Sequence, residues 1–432
     1  MSFKESIHIK NVGPIRELRI DDIRPLTVLI GASATGKSTL MKVLALMRYI
    51  YKMENIRSHL LSSKIKRSPF RIEFKNLLKD GLGDSFTKSS EVIYTVRYHD
   101  GTPYTISYRG GKLHNRIHIE NEYLRFFKEA YVVEERGAMP AFLSPRSDQH
   151  DILGSDPPPA VRCNELGFYF NDTLKDLQSA INESPKLAIG HLDLQLTAKV
   201  FGNKRKRYLI SSLSDKEIPE IDLKYSSSGI RTSTPIVSLL HYFAQDFSFD
   251  EALNRSIFAY FRDARRLMSY QASTEPTEMP RHVHLYIEEP ELNLFPTAQC
   301  ALLNFTVEEA FVNKKDDREL SLMIATHSPY IANYINVLLR KSRLGEIGLK
   351  EEDFDVYLLA DGKAISLIGE DEDTHERVVD TFPLTEAMED IYNEYVSLGD
   401  HVGENEDTDE RAVDGSHGDI YNDYVTIIEE HE

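Results

Sequence analysis

The sequence predicts an α/β fold organised around a phosphate-binding loop, and three stretches predict it. The first is Thr27-Val-Leu-Ile-Gly-Ala-Ser-Ala-Thr-Gly-Lys-Ser-Thr-Leu40, an apolar run that passes through Gly31-x-x-x-x-Gly36-Lys37-Ser38 into a helical pattern. The second is His284-Leu-Tyr-Ile-Glu288-Glu289-Pro290, an apolar strand that ends in two carboxylates. The third is Met323-Ile-Ala-Thr-His327-Ser328-Pro329, a buried-strand pattern that ends in a histidine. Strands of this kind belong to a parallel sheet, whose ligands bind beyond the carboxyl ends.

The loop chemistry follows from its residue types. Glycines at 31 and 36 let backbone N–H groups turn inward around a β-phosphate. Lys37 adds a mobile charge for β/γ oxygens, Ser38 offers a hydroxyl to Mg²⁺, and the helix N-terminus adds its dipole. The candidate nucleotide site is therefore Gly31, Ala32, Ser33, Ala34, Thr35, Gly36, Lys37, Ser38 and Thr39. Of the two carboxylates, one can hold Mg²⁺ and the next can orient an attacking water, because phosphoryl transfer asks mostly for positioning and charge neutralisation. A histidine just past a buried strand is as readily a satisfied core residue as a functional one. In this order and spacing His327 reads as a γ-phosphate sensor. Tyr225-Ser-Ser-Ser-Gly229 opens a helix, where small residues either cap the helix or bind an anion.

Composition bounds the rest. The chain has 432 residues, 41% of them apolar, which suffices for a sizeable core. Its two cysteines, Cys163 and Cys300, form no CxxC pair, so neither a disulfide framework nor a zinc site is expected. No apolar run approaches membrane-spanning length, and a cytoplasmic protein with no membrane partner is expected. The net charge of −18 is uneven: residues 351–432 hold 27 acidic and three basic residues, a charge of −24. Residues 1–350 are left with 48 basic and 42 acidic residues, a charge of +6, so the body is not barred from nucleic acid.

In chain order, Ser6–Lys10 and Ile15–Ile20 read as an antiparallel pair turning at Gly13-Pro14 and feeding the loop strand. Leu40–Tyr51 is apolar on several sides, as a helix buried against a sheet must be. Residues 61–80 are basic with Phe70 and Phe74 interleaved, a solvated helix face or a nucleic-acid contact. From Glu91 to Ile119 the period becomes two, with turns at Asp100-Gly101 and Gly110-Gly111. Tyr131–Arg136 is a strand ending in charge, residues 146–160 are a loop or linker, and residues 161–190 look helical.

Leu194–Leu223 is a second period-two block, turning at Gly202-Asn203 before Lys204-Arg-Lys-Arg207, which is a DNA contact or a solvated hairpin tip. Heptads are not sustained, so residues 131–224 read as a compact helical and hairpin lid without a coiled-coil arm. Helices over Thr232–Phe247, Asp250–Leu267 and Ala298–Val312 are expected, with strands over His282–Ile287 and Leu320–Ala325. Val356–Leu359 and Ala364–Ile368 form a hairpin across Asp361-Gly362. The divisions are then 1–130 and 225–370 for the two parts of the head, 131–224 for the lid and 371–432 for an acidic, partly disordered tail. Within the tail, Asp390-Ile-Tyr-Asn-Glu-Tyr-Val396 recurs as Asp419-Ile-Tyr-Asn-Asp-Tyr-Val425, a docking peptide presented twice or a duplication without function.

Taken together, the phosphate loop, the Glu288-Glu289 strand, the His327 strand and the Tyr225–Gly229 segment resemble the ABC-type ATPase heads of the RecF/SMC superfamily over roughly residues 3–60 and 200–370. More closely, they resemble the stand-alone OLD-like ATPases and the ATPase subunits of Septu, PARIS and retron antiphage systems. The points of likeness are the Gly13-Pro14-Ile15 lead-in, Glu-Glu-Pro-Glu, the Ser-Ser-Gly signature and Thr-His-Ser-Pro.

The resemblance implies an ABC-type P-loop head that binds ATP and Mg²⁺ and hydrolyses ATP. Ser38 and Glu288 would support the metal, while Glu289 and His327 would be catalytic. Ser227, Ser228 and Gly229 would meet the nucleotide of a second copy, giving a homodimer or higher homo-oligomer. Ile230-Arg231 and Ser228 depart from the commoner signature. The implied role is gating of a separate effector, a nuclease by analogy, in antiphage defence, with nucleic-acid contact by the basic lid. The alternative is a RecF-like ATPase acting directly on DNA in repair.

Overall fold

A computed structural model describes residues 3–63, 74–78, 80–115, 118–143, 167–202, 205–260, 279–371, 373–384 and 393–395. The chain begins with the hairpin β1 (Phe3–Val12) and β2 (Ile15–Ile20), turning at Gly13 with φ +52°. β1 buries Phe3, Glu5, Ile7 and Ile9 on alternate positions, as a strand covered on one face does, and Val12 after a shift of register past Lys10. β3 (Leu26–Ile30) is buried throughout and leads through the loop into α1 (Lys37–Ser62). The short helices α2 (Phe74–Leu77) and α3 (Leu82–Ser85) precede a meander of β4 (Phe86–Tyr98), β5 (Pro103–Arg109) and β6 (Lys112–His114). These strands complete an antiparallel sheet of order β2-β1-β4-β5-β6.

β7 (Phe126–Val132) is followed by α4 (Met139–Leu143) and α5 (Phe168–Glu183). A second antiparallel sheet then forms from β8 (Lys186–Ile189), β9 (Leu194–Phe201), β10 (Arg205–Ser212) and β11 (Ile221–Asp222). α6 (Ser228–His241) continues as a π-helical turn over Tyr242–Asp246, and α7 (Phe249–Tyr260) follows. The remaining elements are β12 (Arg281–Glu288), α8 (Pro296–Phe311), β13 (Glu319–Thr326), α9 (Pro329–Arg343), β14 (Phe354–Ala360), β15 (Lys363–Ser366), β16 (Ile368–Glu370) and β17 (Arg377–Val379).

A six-stranded sheet of order β15-β14-β3-β13-β12-β7 carries all three sequence motifs. It is parallel except for β15, which turns back from β14 across Asp361 and Gly362, both at positive φ. Register places Ile30 beside Thr326 and Glu288 beside Ala325, so the carboxyl ends of β3, β13 and β12 are level. α1 lies between this sheet and the antiparallel one: Tyr51 packs on Tyr94, Tyr104 and Phe127. In the same layer Arg48 of α1 joins Glu5 of β1, at 3.0 and 2.5 Å, to the Tyr286 hydroxyl of β12, at 2.9 Å. A buried pair of this kind costs desolvation, and here each remaining bond goes to another buried group.

The α/β class, with a phosphate-loop head and an insertion of helices and hairpins, is the fold observed. Two divisions and one element lie differently from the expectation. β7 pairs in parallel with β12, so the head runs to Val132 and the insertion starts beyond it. Residues 161–190 include the strand β8 as well as the helix α5. The chain divides into compact units Met1–Thr381 and Phe382–Glu432, so residues 371–381 belong to the body. They are tied there by Arg343 to Glu376 at 2.5 Å and by paired bonds between Asn336 and Val379.

The basic residues Lys64, Lys66, Arg67 and Arg71, the stretch 146–160, Lys204 and Cys163 lie outside the described residues, as does nearly all of the repeated tail heptapeptide. Among the described residues, Cys300 is a free thiol and no helix is long and apolar enough to cross a membrane.

Candidate nucleotide site

Between β3 and α1 the loop takes the conformation its glycines permit. Gly31 has φ +151°, and a Cβ there would stand 2.5 Å from the Leu359 carbonyl oxygen. Gly36 has φ +105°, and a Cβ there would press on Pro14 and Ile15 of the first hairpin. Backbone angle disfavours a side chain at both positions, and at Gly31 the carbonyl also leaves no space for one. Ala34 is also left-handed, at φ +63°, and the Thr35 hydroxyl closes the turn by donating to the Ala32 carbonyl at 2.9 Å.

The Lys37 ammonium folds back over the loop, donating to the Gly31 carbonyl at 2.8 Å and the Ala32 carbonyl at 2.9 Å. Burial lowers its pKa, opposed by the charges of Glu289 and Glu291. The first turn of α1 has neither a side-chain cap nor an acidic residue, so its N–H groups stay available to an anion.

These groups border a cleft of about 250 Å³ that also takes in Glu134, Glu288, Glu289 and His327. Glu288 ends β12, buried, with Oε1 accepting the Tyr131 hydroxyl at 2.8 Å. Glu289 follows in the left-handed region at φ +43°, a conformation costing a non-glycine residue on the order of 1 kcal/mol or more. Its N–H donates to the Ala325 carbonyl at 2.8 Å, and its carbonyl accepts the Leu292 N–H at 3.1 Å. His327 Nε2 stands 3.5 Å from Glu289 Oε1, while the His327 N–H donates to Glu291 at 2.7 Å. Ser328 caps α9 through the Ile331 N–H at 3.3 Å and donates to Gln299 at 2.5 Å.

Sequence reasoning placed Lys37, Ser38, Glu288, Glu289 and His327 together, and all five line this cleft. It passed over Glu134, whose pKa is raised by burial first and then by the charges of Glu289, Glu135 and Glu288. The available signal was the end of a buried strand, Tyr131-Val-Val, pointing at the same sheet edge. Glu134, Glu288 and Glu289 thus border one cleft. A hydroxyl and a carboxylate, Ser38 and Glu288, are the hard oxygen donors Mg²⁺ takes, and it normally completes its shell with water and phosphate. Among the described residues no group of three or more His, Cys, Asp or Glu is disposed to hold a metal.

The signature residues divide. Ser227 and Ser228 are exposed at the start of α6, with no side-chain cap, while Gly229 is buried. A Cβ on Gly229 would stand 2.7 Å from the Asn293 carbonyl oxygen, on the turn that follows Glu289. Thr232, one helical turn on, donates its hydroxyl to the Leu292 carbonyl at 2.9 Å. α6 is thus seated on that turn. Of the cations expected at the lid hairpin, Lys206 is held by Asn182 at 2.5 Å and Arg207 by Asp222 at 3.2 Å.

No protein-family model and no curated protein matches the chain. Among solved structures it is similar to an SMC head bound to the C-winged helix domain of ScpA, at 12% identity and a TM-score of 0.35, covering 85% of this chain and 98% of that one. It is also similar to the recombination mediator protein RecF-ATPrS of the RecFOR pathway, at 11% identity and a TM-score of 0.34, covering 84% and 98%. A third is the SMC head domain from Thermotoga maritima, at 10% identity and a TM-score of 0.32, covering 86% and 100%. Likeness at these scores lends this chain no residue roles.

Proposed function

We propose that this chain is an ABC-type ATPase of the RecF/SMC kind, which hydrolyses ATP in the cleft beside Lys37. The observation that carries the reading is the convergence of Lys37, Ser38, Glu288, Glu289 and His327 at the level ends of three adjacent parallel strands. Lys37 would exchange its two loop carbonyls for β- and γ-phosphate oxygens, with the free N–H groups of α1 taking the rest of the charge. Ser38 and Glu288 would hold Mg²⁺, which when bound neutralises charge on the phosphates. Glu289 would orient the attacking water, and His327, 3.5 Å from it, would sense the γ-phosphate.

Ser227 and Ser228 are exposed hydroxyls at an uncapped helix start, and in the proposal they complete the site of a second copy. The nucleotide state would then be reported by pairing, and pairing would gate a separate effector in antiphage defence. That last step is supported by the resemblance of the motifs alone. The engaged Lys206 and Arg207 do not favour the alternative of direct DNA action through the hairpin.

The test is sedimentation with ATP and Mg²⁺ of Glu289→Gln, alone and with Ser228→Arg added. Dimers formed by the single variant and lost in the double one support the reading. Monomers in both, with ATP bound, would overturn the pairing.

A further inference from the structure

Arg136 is the largest fully buried side chain of the described residues, and it meets no carboxylate. It lies in the 3-10 turn Glu134–Ala138, where the chain leaves β7 for the insertion. Its Nε donates to the Thr232 carbonyl at 2.9 Å, on α6. One terminal nitrogen donates to the Val133 carbonyl at 3.1 Å and the Glu288 carbonyl at 2.6 Å, and the other to the Glu289 carbonyl at 2.5 Å. Four of the five guanidinium N–H groups are therefore spent on main-chain oxygens from three separate segments. Burial draws its pKa down to about 10, opposed by the charges of Glu291, Glu289, Glu288 and Glu134, so it remains a cation at neutral pH.

We propose that Arg136 is a positioning residue: it holds Glu289 in its left-handed backbone conformation and ties that conformation to the place of α6. This rests on the ATPase reading above, in which Glu289 orients water. Glu289 is pinned from two sides, by the Ala325 carbonyl on its N–H and by Arg136 on its own carbonyl. The same guanidinium holds the helix that begins at Ser227-Ser228. A shift of α6 away from Thr232 would pull on the fork that sets the Glu289 peptide. Only a planar fork reaches all these acceptors at once; the lysine ammonium is a single point.

The test compares wild type, Arg136→Lys and Arg136→Gln, each alone and in the Glu289→Gln background. ATP affinity is read with a fluorescent ATP analogue and turnover by phosphate release. Arg136→Lys is expected to bind the analogue within about threefold of wild type and to lose turnover by about 100-fold, the scale of a misplacement near 1 Å. In the Glu289→Gln background it should lower the residual rate by less than about threefold, because residues acting as one unit are not additive.

Wild-type turnover in Arg136→Lys, or a full further loss in the double variant, would overturn the proposal. If the lysine and glutamine variants do not fold, Arg136→Ala is assayed with millimolar guanidinium ion, and recovery of folding without recovery of turnover is the contradicting result. Undiminished turnover in Glu289→Gln alone would instead overturn the underlying ATPase assignment.

Discussion

The backbone carbonyl of Asn293 occupies the space where a side chain at Gly229 would begin, 2.7 Å from the ideal Cβ position. Gly229 thus has a task inside its own chain, whatever a second copy brings to Ser227 and Ser228. Gly229→Ala should destabilise the fold by about 1–3 kcal/mol, as overpacking against backbone does. Ser228→Ala, exposed and uncapping nothing, should change stability by less than about 0.5 kcal/mol. Urea unfolding of the two variants checks the contrast. Equal stabilities would mean that the turn at Asn293 can yield.

A pH dependence follows from Glu54 on α1. Burial pushes its carboxyl up to about 7, relieved in part by Arg57 at 3.8 Å and the Asn115 amide at 2.6 Å. The folded state therefore holds a proton that the unfolded chain releases near 4.5. The stability this gives is complete below about 4.5 and lost as the pH rises through about 7. Glu54→Gln should match wild type near pH 4.5, melt at a higher temperature than wild type near pH 8, and show a flatter profile between. Some slope should persist, because burial also raises Glu129 to about 7. Parallel profiles for the two proteins would refute the assignment.

Much of the cleft was legible because its order and spacing are local: a strand, two glycines, a lysine and a hydroxyl follow one another within Thr27–Thr39. Neighbouring apolar runs ending in Glu288-Glu289 and His327 also located the sheet edge, which parallel register then brings level. What escaped was set by tertiary contact. The start of α9 (Pro329–Arg343) is marked locally only by Ser328-Pro329, an N-cap followed by proline at the first helical position. In the sequence Arg136 stands only at the charged end of a strand. Its four carbonyl partners come from positions 133, 232, 288 and 289, and no local pattern announces them. β16 and β17 hid in acidic sequence because their anchor is polar, through Arg343 and Asn336.

Truncation separates body from tail. Ending the chain after Leu384 should leave the melting temperature and ATP hydrolysis near wild type, since the compact unit closes at Thr381. Ending it after Glu370 removes Glu376, Arg377 and Val379, which leaves Arg343 with Glu351 alone and takes both bonds from Asn336, so the melting temperature should fall by several degrees. A copurifying protein lost with the first truncation, and lost again when Tyr392, Tyr395, Tyr421 and Tyr424 are changed to alanine in the full chain, would identify the repeat as a docking peptide. Equal melting of both truncated chains would place the boundary before residue 371.

Phosphate release from ATP by wild type, Lys37→Ala and Glu289→Gln, each with binding of the nucleotide measured in parallel, tests the assignment of this cleft most directly. Wild type should turn over, and Lys37→Ala should lose binding with the loss of the β/γ counter-cation. Glu289→Gln should keep binding and lose turnover by at least about 100-fold. Equal rates in Glu289→Gln and wild type would contradict the account, because the carboxylate of the residue whose backbone is held at φ +43° between Ala325 and Arg136 would then have no part in the reaction.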